Sequence, residues 1–174
     1  MAGRSRITEE AARMEEKLDI KPEIESEILK WVETEIWGAF SEQLKRFFVR
    51  LSLIEHRSQE LFDTLIGEST DLRYEFEHYS SYITYNKYIS AYVIQPLFLE
   101  YLKMKQGQLS EDEKRETYRA AACWCEQNDF LVDALVYYEK IGDQKSGSLV
   151  TERLERRILN TSKELSGHLD RQMT

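Results

Sequence analysis

Over most of the chain, apolar residues recur at steps of three and four, the spacing that gathers them on one face of an α-helix. Leu44, Phe47, Phe48 and Leu51 form such a stripe behind Ser41, whose hydroxyl can cap the helix, while Lys45, Arg46 and Arg50 take the other side. Upstream, Ile24, Ile28, Trp31, Val32 and Ile36 follow the same period from Pro22, a residue suited to a first helical position. Glu35 interrupts that face, Trp37 and Phe40 extend it, and Gly38 lies near its end. Before it, Thr8 to Leu18 offers only Ala11, Met14 and Leu18, a thin stripe behind a capping Thr8. After Ser58, a second possible cap, Leu61, Phe62, Leu65 and Ile66 predict a short helix that Gly67 stops. Leu72 and Phe76 predict another over Asp71 to Tyr79.

The texture changes from Tyr82 to Ile94, where β-branched and aromatic residues surround Asn86-Lys87. Two short strands joined by a tight turn at Asn86-Lys87 fit this stretch. Helical spacing then returns. Pro96 opens a helix with Leu97, Phe98, Tyr101 and Leu102, which Gly107 ends. Ser110 and Glu113 are spaced as a capping box for a helix carrying Tyr118, Ala121, Ala122, Trp124 and Cys125. Asn128-Asp129 breaks it. Phe130 to Ile141 follows, with Leu131, Ala134, Leu135, Tyr138 and Ile141, and Gly142-Asp143 ends it. A last helix, Gly147 to Asn160, carries Leu149, Leu154 and Ile158, and the polar tail beyond Ser162 is expected to fray. Trp124, among small neighbours, is expected to be buried between the two helices on either side of Asn128.

The class this predicts is mainly α with one small β-hairpin. Only 7 Gly and 2 Pro in 174 residues argue the same way, and 41% hydrophobic content is enough to bury a core. Helix, helix, helix, hairpin is the layout of a winged helix. The helix pair from Ser110 to Ile141, with small residues at its crossing, resembles one tetratricopeptide-like unit. The winged helix and this pair are expected to follow one another as sequential units without a common core.

A family resemblance rests on several of these segments together. Glu35 to Ile54 reads Glu-Ile-Trp-Gly-Ala-Phe-Ser-Glu-Gln-Leu-Lys-Arg-Phe-Phe-Val-Arg-Leu-Ser-Leu-Ile. With Ser58 to Gly67, it resembles the start of the winged-helix region of the large MalT-like, LuxR-type transcriptional activators. Gln95-Pro96-Leu97-Phe98-Leu99-Glu100-Tyr101-Leu102 is similar to the segment after their wing, and Tyr118 to Asn128 with Ala134 to Asp143 to their first tetratricopeptide-like helices. The resemblance covers residues 31 to 145. It implies a middle piece of a regulator, with the ATP-binding module upstream and the inducer-sensing superhelix and LuxR-type DNA-binding domain downstream. On this basis residues 1–40 are lid-like helices of the upstream module, 41–106 the winged helix, and 107–174 repeat-like helices and the tail. The family's histidine before Pro-Leu-Phe is Gln95 here, which carries no positive charge, so a nucleotide contact does not transfer to it.

Charge and reactive residues narrow the functions. There are 32 acidic and 24 basic residues, a net charge of −8, and the first 44 residues hold 11 acidic and 6 basic. The predicted third helix carries Asp71, Glu75 and Glu77 against a single Arg73, the wrong sign for phosphate. His56, His78 and His168 are far apart, and Cys123 and Cys125, both expected to pack in the core, stand two residues apart on different sides of a helix. No phosphate-binding glycine loop or nucleophile elbow is present, and the carboxylates lie on helix faces beside Lys and Arg. The expectation is therefore no catalytic, cofactor or metal site in this chain. Six tyrosines, Tyr74, Tyr79, Tyr82, Tyr85, Tyr88 and Tyr92, fall within 19 residues and are the candidate protein interface.

The reading is a non-catalytic interaction module coupling an ATP-binding switch to a helical sensor in a bacterial regulator. Its partners would be other domains of the same regulator or a partner protein, with DNA reached only through a C-terminal domain outside this chain. With no membrane span and no secretion signal, the expected location is the cytoplasm. The alternatives are a stand-alone helical-repeat adaptor that binds a partner peptide, and a DNA-binding winged-helix repressor.

Overall fold

The computed structural model describes residues 26–172, with side chains described to Ser162, that of Ser80 excepted. The Thr8-capped helix and the Pro22 helix start lie outside the described residues. The chain divides into two compact units, Met1–Lys45 and Arg46–Thr174. In the first, helix over 26–31 runs into a π-helical turn, Val32–Ile36, closed by the Trp37 N–H donating to the Val32 carbonyl. The turn inserts one residue and shifts the apolar face. Val32, Ile36, Trp37 and Phe40 are buried, whereas Ile28 and Trp31, expected on the same face, are exposed. The Trp37 and Phe40 rings meet edge to face at 6.0 Å. Phe40 is extended, and the Ser41 hydroxyl accepts from the Leu44 N–H at 3.1 Å to start helix α1, Glu42–Ser52.

The second unit continues α1, where Phe47, Phe48, Val49 and Leu51 are buried. Helix α2, Gln59–Ile66, begins at the Ser58 cap and stops at Gly67, whose φ of 66° favours glycine. Helix α3, Thr70–His78, is capped by Ser69 and buries Leu72 and Phe76. The Phe47, Phe62 and Phe76 rings pack against one another, Phe47 edge to face on both, forming the aromatic centre of this region.

Strands β1, Ile83–Asn86, and β2, Ala91–Ile94, pair antiparallel with Ile83 opposite Ile94 and Asn86 opposite Ala91. The connection is therefore four residues, Lys87 to Ser90, and not a tight turn at Asn86-Lys87. Asn86 Oδ1 accepts from the Tyr88 N–H at 2.9 Å, and Ser90 takes the left-handed conformation, φ 51°, that returns the chain. Ser58 bridges Ala91, and the Tyr92 N–H donates to the Arg57 carbonyl at 2.7 Å, so the α1–α2 connection adds a short third edge to the hairpin.

Helix α4, Pro96–Lys105, leads through a 3₁₀ turn to helix α5, Glu111–Gln127, which carries the full Ser110–Glu113 capping box. Helix α6, Leu131–Ile141, ends at Gly142 with φ 71°. Between α5 and α6, Ala121, Ala122, Cys125 and Ala134 have no exposed surface, which lets the two backbones approach closely. Helix α7, Gln144–Gln172, continues through the tail that was expected to fray. Among its described side chains Val150 is the buried one, while of the expected stripe Leu149 and Ile158 are exposed and Leu154 is half-buried. A Cβ added at Gly147 would lie 4.0 Å from the Tyr138 Cβ, so this side of α7 faces α6.

The region from α1 to β2 and the α5–α6 pair are not sequential units. Arg50 Nε donates to the Thr117 hydroxyl at 2.8 Å, and the Glu55 N–H donates to the Tyr137 hydroxyl at 3.0 Å. Thr117 and Tyr137 are both buried, so the contact is a shared core. Burial also raises the Tyr137 hydroxyl above its ordinary range.

Candidate functional site

The α1–α2 connection, the β-hairpin loop and the corner between α5 and α6 enclose a cleft of about 670 Å³. Its geometry starts at the corner. Asp129 adopts φ 67°, which reverses the chain after α5, and the Phe130 N–H donates to the Cys125 carbonyl at 2.8 Å. This reversal swings Phe130 back over Trp124, their rings near parallel at 17° and 5.6 Å apart. The His56 imidazole joins them, 4.5 Å from Phe130 and 5.5 Å from Trp124.

Polar contacts fix this stack. The Trp124 indole N–H donates to Glu60 Oε2 at 2.9 Å, and His56 Nε2 donates to Asp133 Oδ2 at 3.1 Å. Asn128 Nδ2 donates to the Trp124 carbonyl at 2.9 Å. Arg57 Nε and Nη1 donate to the Leu51 and Glu55 carbonyls, and burial lowers its affinity for the proton from the ordinary arginine value. The hairpin contributes Tyr85 and Ile89 to the same cleft, 46% and 62% exposed.

Trp124 is therefore not buried between α5 and α6. It is half-buried on the outer side of the corner, because Ala121, Ala122 and Cys125 already fill the helix crossing and leave no room for an indole.

The six tyrosines divide. Tyr92 stacks on Phe62 at 4.1 Å and donates its hydroxyl to Gln59 Oε1 at 2.9 Å, and burial raises its hydroxyl pKa. Tyr82 lies against Phe98 and Tyr79 is half-buried beside His78. Tyr74 and Tyr88 are exposed at 75% and 87%. Tyr85, in edge contact with Tyr92, is the only one of the six that lines the cleft.

Cys125 is buried and its thiol is pushed up to about 12, chiefly by burial. Cys123, expected in the core, is exposed, with its Sγ 3.9 Å from the Tyr138 hydroxyl. A two-residue step along α5 turns it away from the crossing. Gln95 precedes α4 and donates Nε2 to the Ser81 carbonyl at 3.0 Å. The His168 side chain lies outside the described residues. Among the described residues, no three His, Cys, Asp or Glu side chains gather as a metal site, and no helix is long and apolar enough to cross a membrane.

Sequence reasoning missed His56, Glu60 and Phe130 as partners of Trp124. Glu60 and Trp124 are 64 residues apart, and nothing in either local pattern signals their meeting. An open groove of similar volume runs between α6 and α7 at Leu135, Tyr138, Gly147 and Thr151, and holds none of the predicted site residues. Comparison with protein-family models, curated proteins and solved structures finds no match.

Proposed function

We propose that this chain is a non-catalytic interaction module of a MalT-like bacterial transcriptional regulator, coupling an ATP-binding switch to a helical sensor in the cytoplasm. The observation that carries the reading is the element order: helices α1 to α3, then a hairpin whose edge is joined by the Ser58–Ala91 bridge, then α4, then a helix pair crossing on alanines. The first part has the order of a winged helix and the second that of a tetratricopeptide-like pair. With the motifs of residues 31 to 145, this arrangement favours the regulator over a stand-alone adaptor.

In this reading nucleotide, inducer and DNA bind other domains, and this module works by docking and release against its neighbours. Its carboxylates serve structure: Glu113 closes the α5 capping box, Asp63 pairs with Arg73, and Glu126 pairs with Arg153. The same pairing argues against a DNA reader, because Arg73 of α3 is tied to Asp63 while Asp71 and Glu77 remain exposed.

The test is the gene's full reading frame together with nucleotide binding by its product. A Gly-x-x-x-x-Gly-Lys-Ser/Thr loop upstream, a LuxR-type helix-turn-helix downstream and ATP binding by the whole protein are expected. A reading frame with neither motif contradicts the proposal.

A further inference from the structure

We infer that the cleft at Trp124 is a docking site for an arginine-bearing segment of a partner protein. The inference stands on the cleft itself and does not depend on the family reading.

The first support is the ring pair. Trp124 and Phe130 stack near parallel, and Phe130 remains 43% exposed beside the cleft. A guanidinium is planar, weakly hydrated and attracted to aromatic faces, so it suits such a platform better than an ammonium does. The second is countercharge. Glu60 holds the indole N–H with Oε2, and its Oε1 has no hydrogen-bond partner among the described residues. Glu55 lines the same cleft, and its carboxylate, which interacts electrostatically with Arg57, likewise has no hydrogen-bond partner among them.

The cleft's own guanidinium does not occupy this position. Arg57 points its nitrogens at the Leu51 and Glu55 carbonyls. Two carboxylates against one guanidinium leave the cleft negative. His56 is held by Asp133 and offers its ring to the stack.

The third support identifies the source of the cation. The hairpin side of the cleft carries two exposed apolar side chains, Ile89 and Tyr85. Free arginine has nothing to place there, whereas residues flanking an arginine in a polypeptide cover them. A cavity of about 670 Å³ accepts an arginine side chain and parts of its neighbours.

The test follows the indole N–H of Trp124 by nuclear magnetic resonance in the nitrogen-15-labelled chain. The sequence holds 3 Trp, so Trp124→Phe assigns the signal. The probe is acetyl-Ala-Leu-Arg-Leu-Ala-amide. Its controls are the same peptide with citrulline, the neutral isostere, at the centre, and arginine amide alone. The arginine peptide should give a saturable shift with Kd on the order of 1 mM or tighter. The citrulline peptide and arginine amide should each bind about fivefold weaker or worse. Glu60→Gln, which keeps an oxygen for the indole N–H, should reduce the arginine peptide to the citrulline level while the other amide signals stay in place. No Trp124 shift, equal binding of the citrulline peptide, or unchanged affinity in Glu60→Gln would each overturn the inference. Arginine amide binding as well as the peptide would overturn its assignment to a polypeptide.

Discussion

The indole N–H of Trp124 meets the Glu60 carboxylate at 2.9 Å, tying the corner of the α5–α6 pair to the first turn of α2. The ring packs against Phe130 and His56, which also touch each other, yet it is only half-buried.

Trp124→Ala should therefore destabilise the second unit by about 1–3 kcal/mol, less than the ~3–5 kcal/mol of a fully buried tryptophan. Trp124→Phe keeps a ring in the stack and loses only the hydrogen bond, about 1 kcal/mol. Urea midpoints at constant slope measure both. A loss near zero for Trp124→Ala would show that the stack does not hold the corner.

Thr117 is the second joint. Its hydroxyl accepts from Arg50 Nε and donates to the Glu113 carbonyl at 2.7 Å, with no exposed surface. Thr117→Val preserves the shape and strips Arg50 of its partner. The expected loss is about 1–3 kcal/mol, with Thr117→Ser well below it. Equal losses for the two variants would point to packing and not to the hydrogen bond.

Local features of the fold were legible where a short-range rule decides them. The caps at Ser41, Ser58 and Ser110, the stop at Gly67 and the stripe from Leu44 to Leu51 depend on residues within one or two turns. The phase of the apolar face failed where one inserted residue changed it, at the π turn of Val32–Ile36. The α7 stripe failed because its buried face is chosen by α6, so Val150 is buried and Leu149 is not. Trp124 failed for a related reason: local spacing placed it at the helix crossing, but Ala121, Ala122 and Cys125 fill that crossing and the indole lies outside it. The cleft itself joins residues 55–60, 85–91 and 124–130, and only the folded chain brings them together.

The capping box of α5 should weaken in acid. The Ser110 backbone N–H, bonded to Glu113, holds that carboxyl below its ordinary value of 4.5, with help from the Ser110 hydroxyl and Arg46. A lowered carboxyl pKa contributes stability that is whole above 4.5 and disappears as pH falls through the lowered value. The stability gap between the natural chain and Glu113→Gln should therefore be larger at about pH 6 than at about pH 3. Urea titrations at the two values check this, and a gap that widens in acid would contradict it.

The chain should not bind double-stranded DNA. Asp71 and Glu77 are exposed on α3, Arg73 is engaged by Asp63, and the net charge is −8. A gel-shift titration at low salt gives phosphate attraction its best chance. No shift is expected at micromolar chain, and binding of unrelated duplexes there would restore the repressor reading.

The central claim is that this module docks and releases as a nucleotide switch upstream changes state. Hydrogen exchange of the whole natural protein, compared with ADP and with ATP bound, tests it most directly. The account predicts that amides of α3 and of the hairpin, residues 70–94, change protection between the two states, while the α5–α6 crossing around Ala121 and Ala134 does not. Identical exchange over residues 70–94 in both states would contradict it.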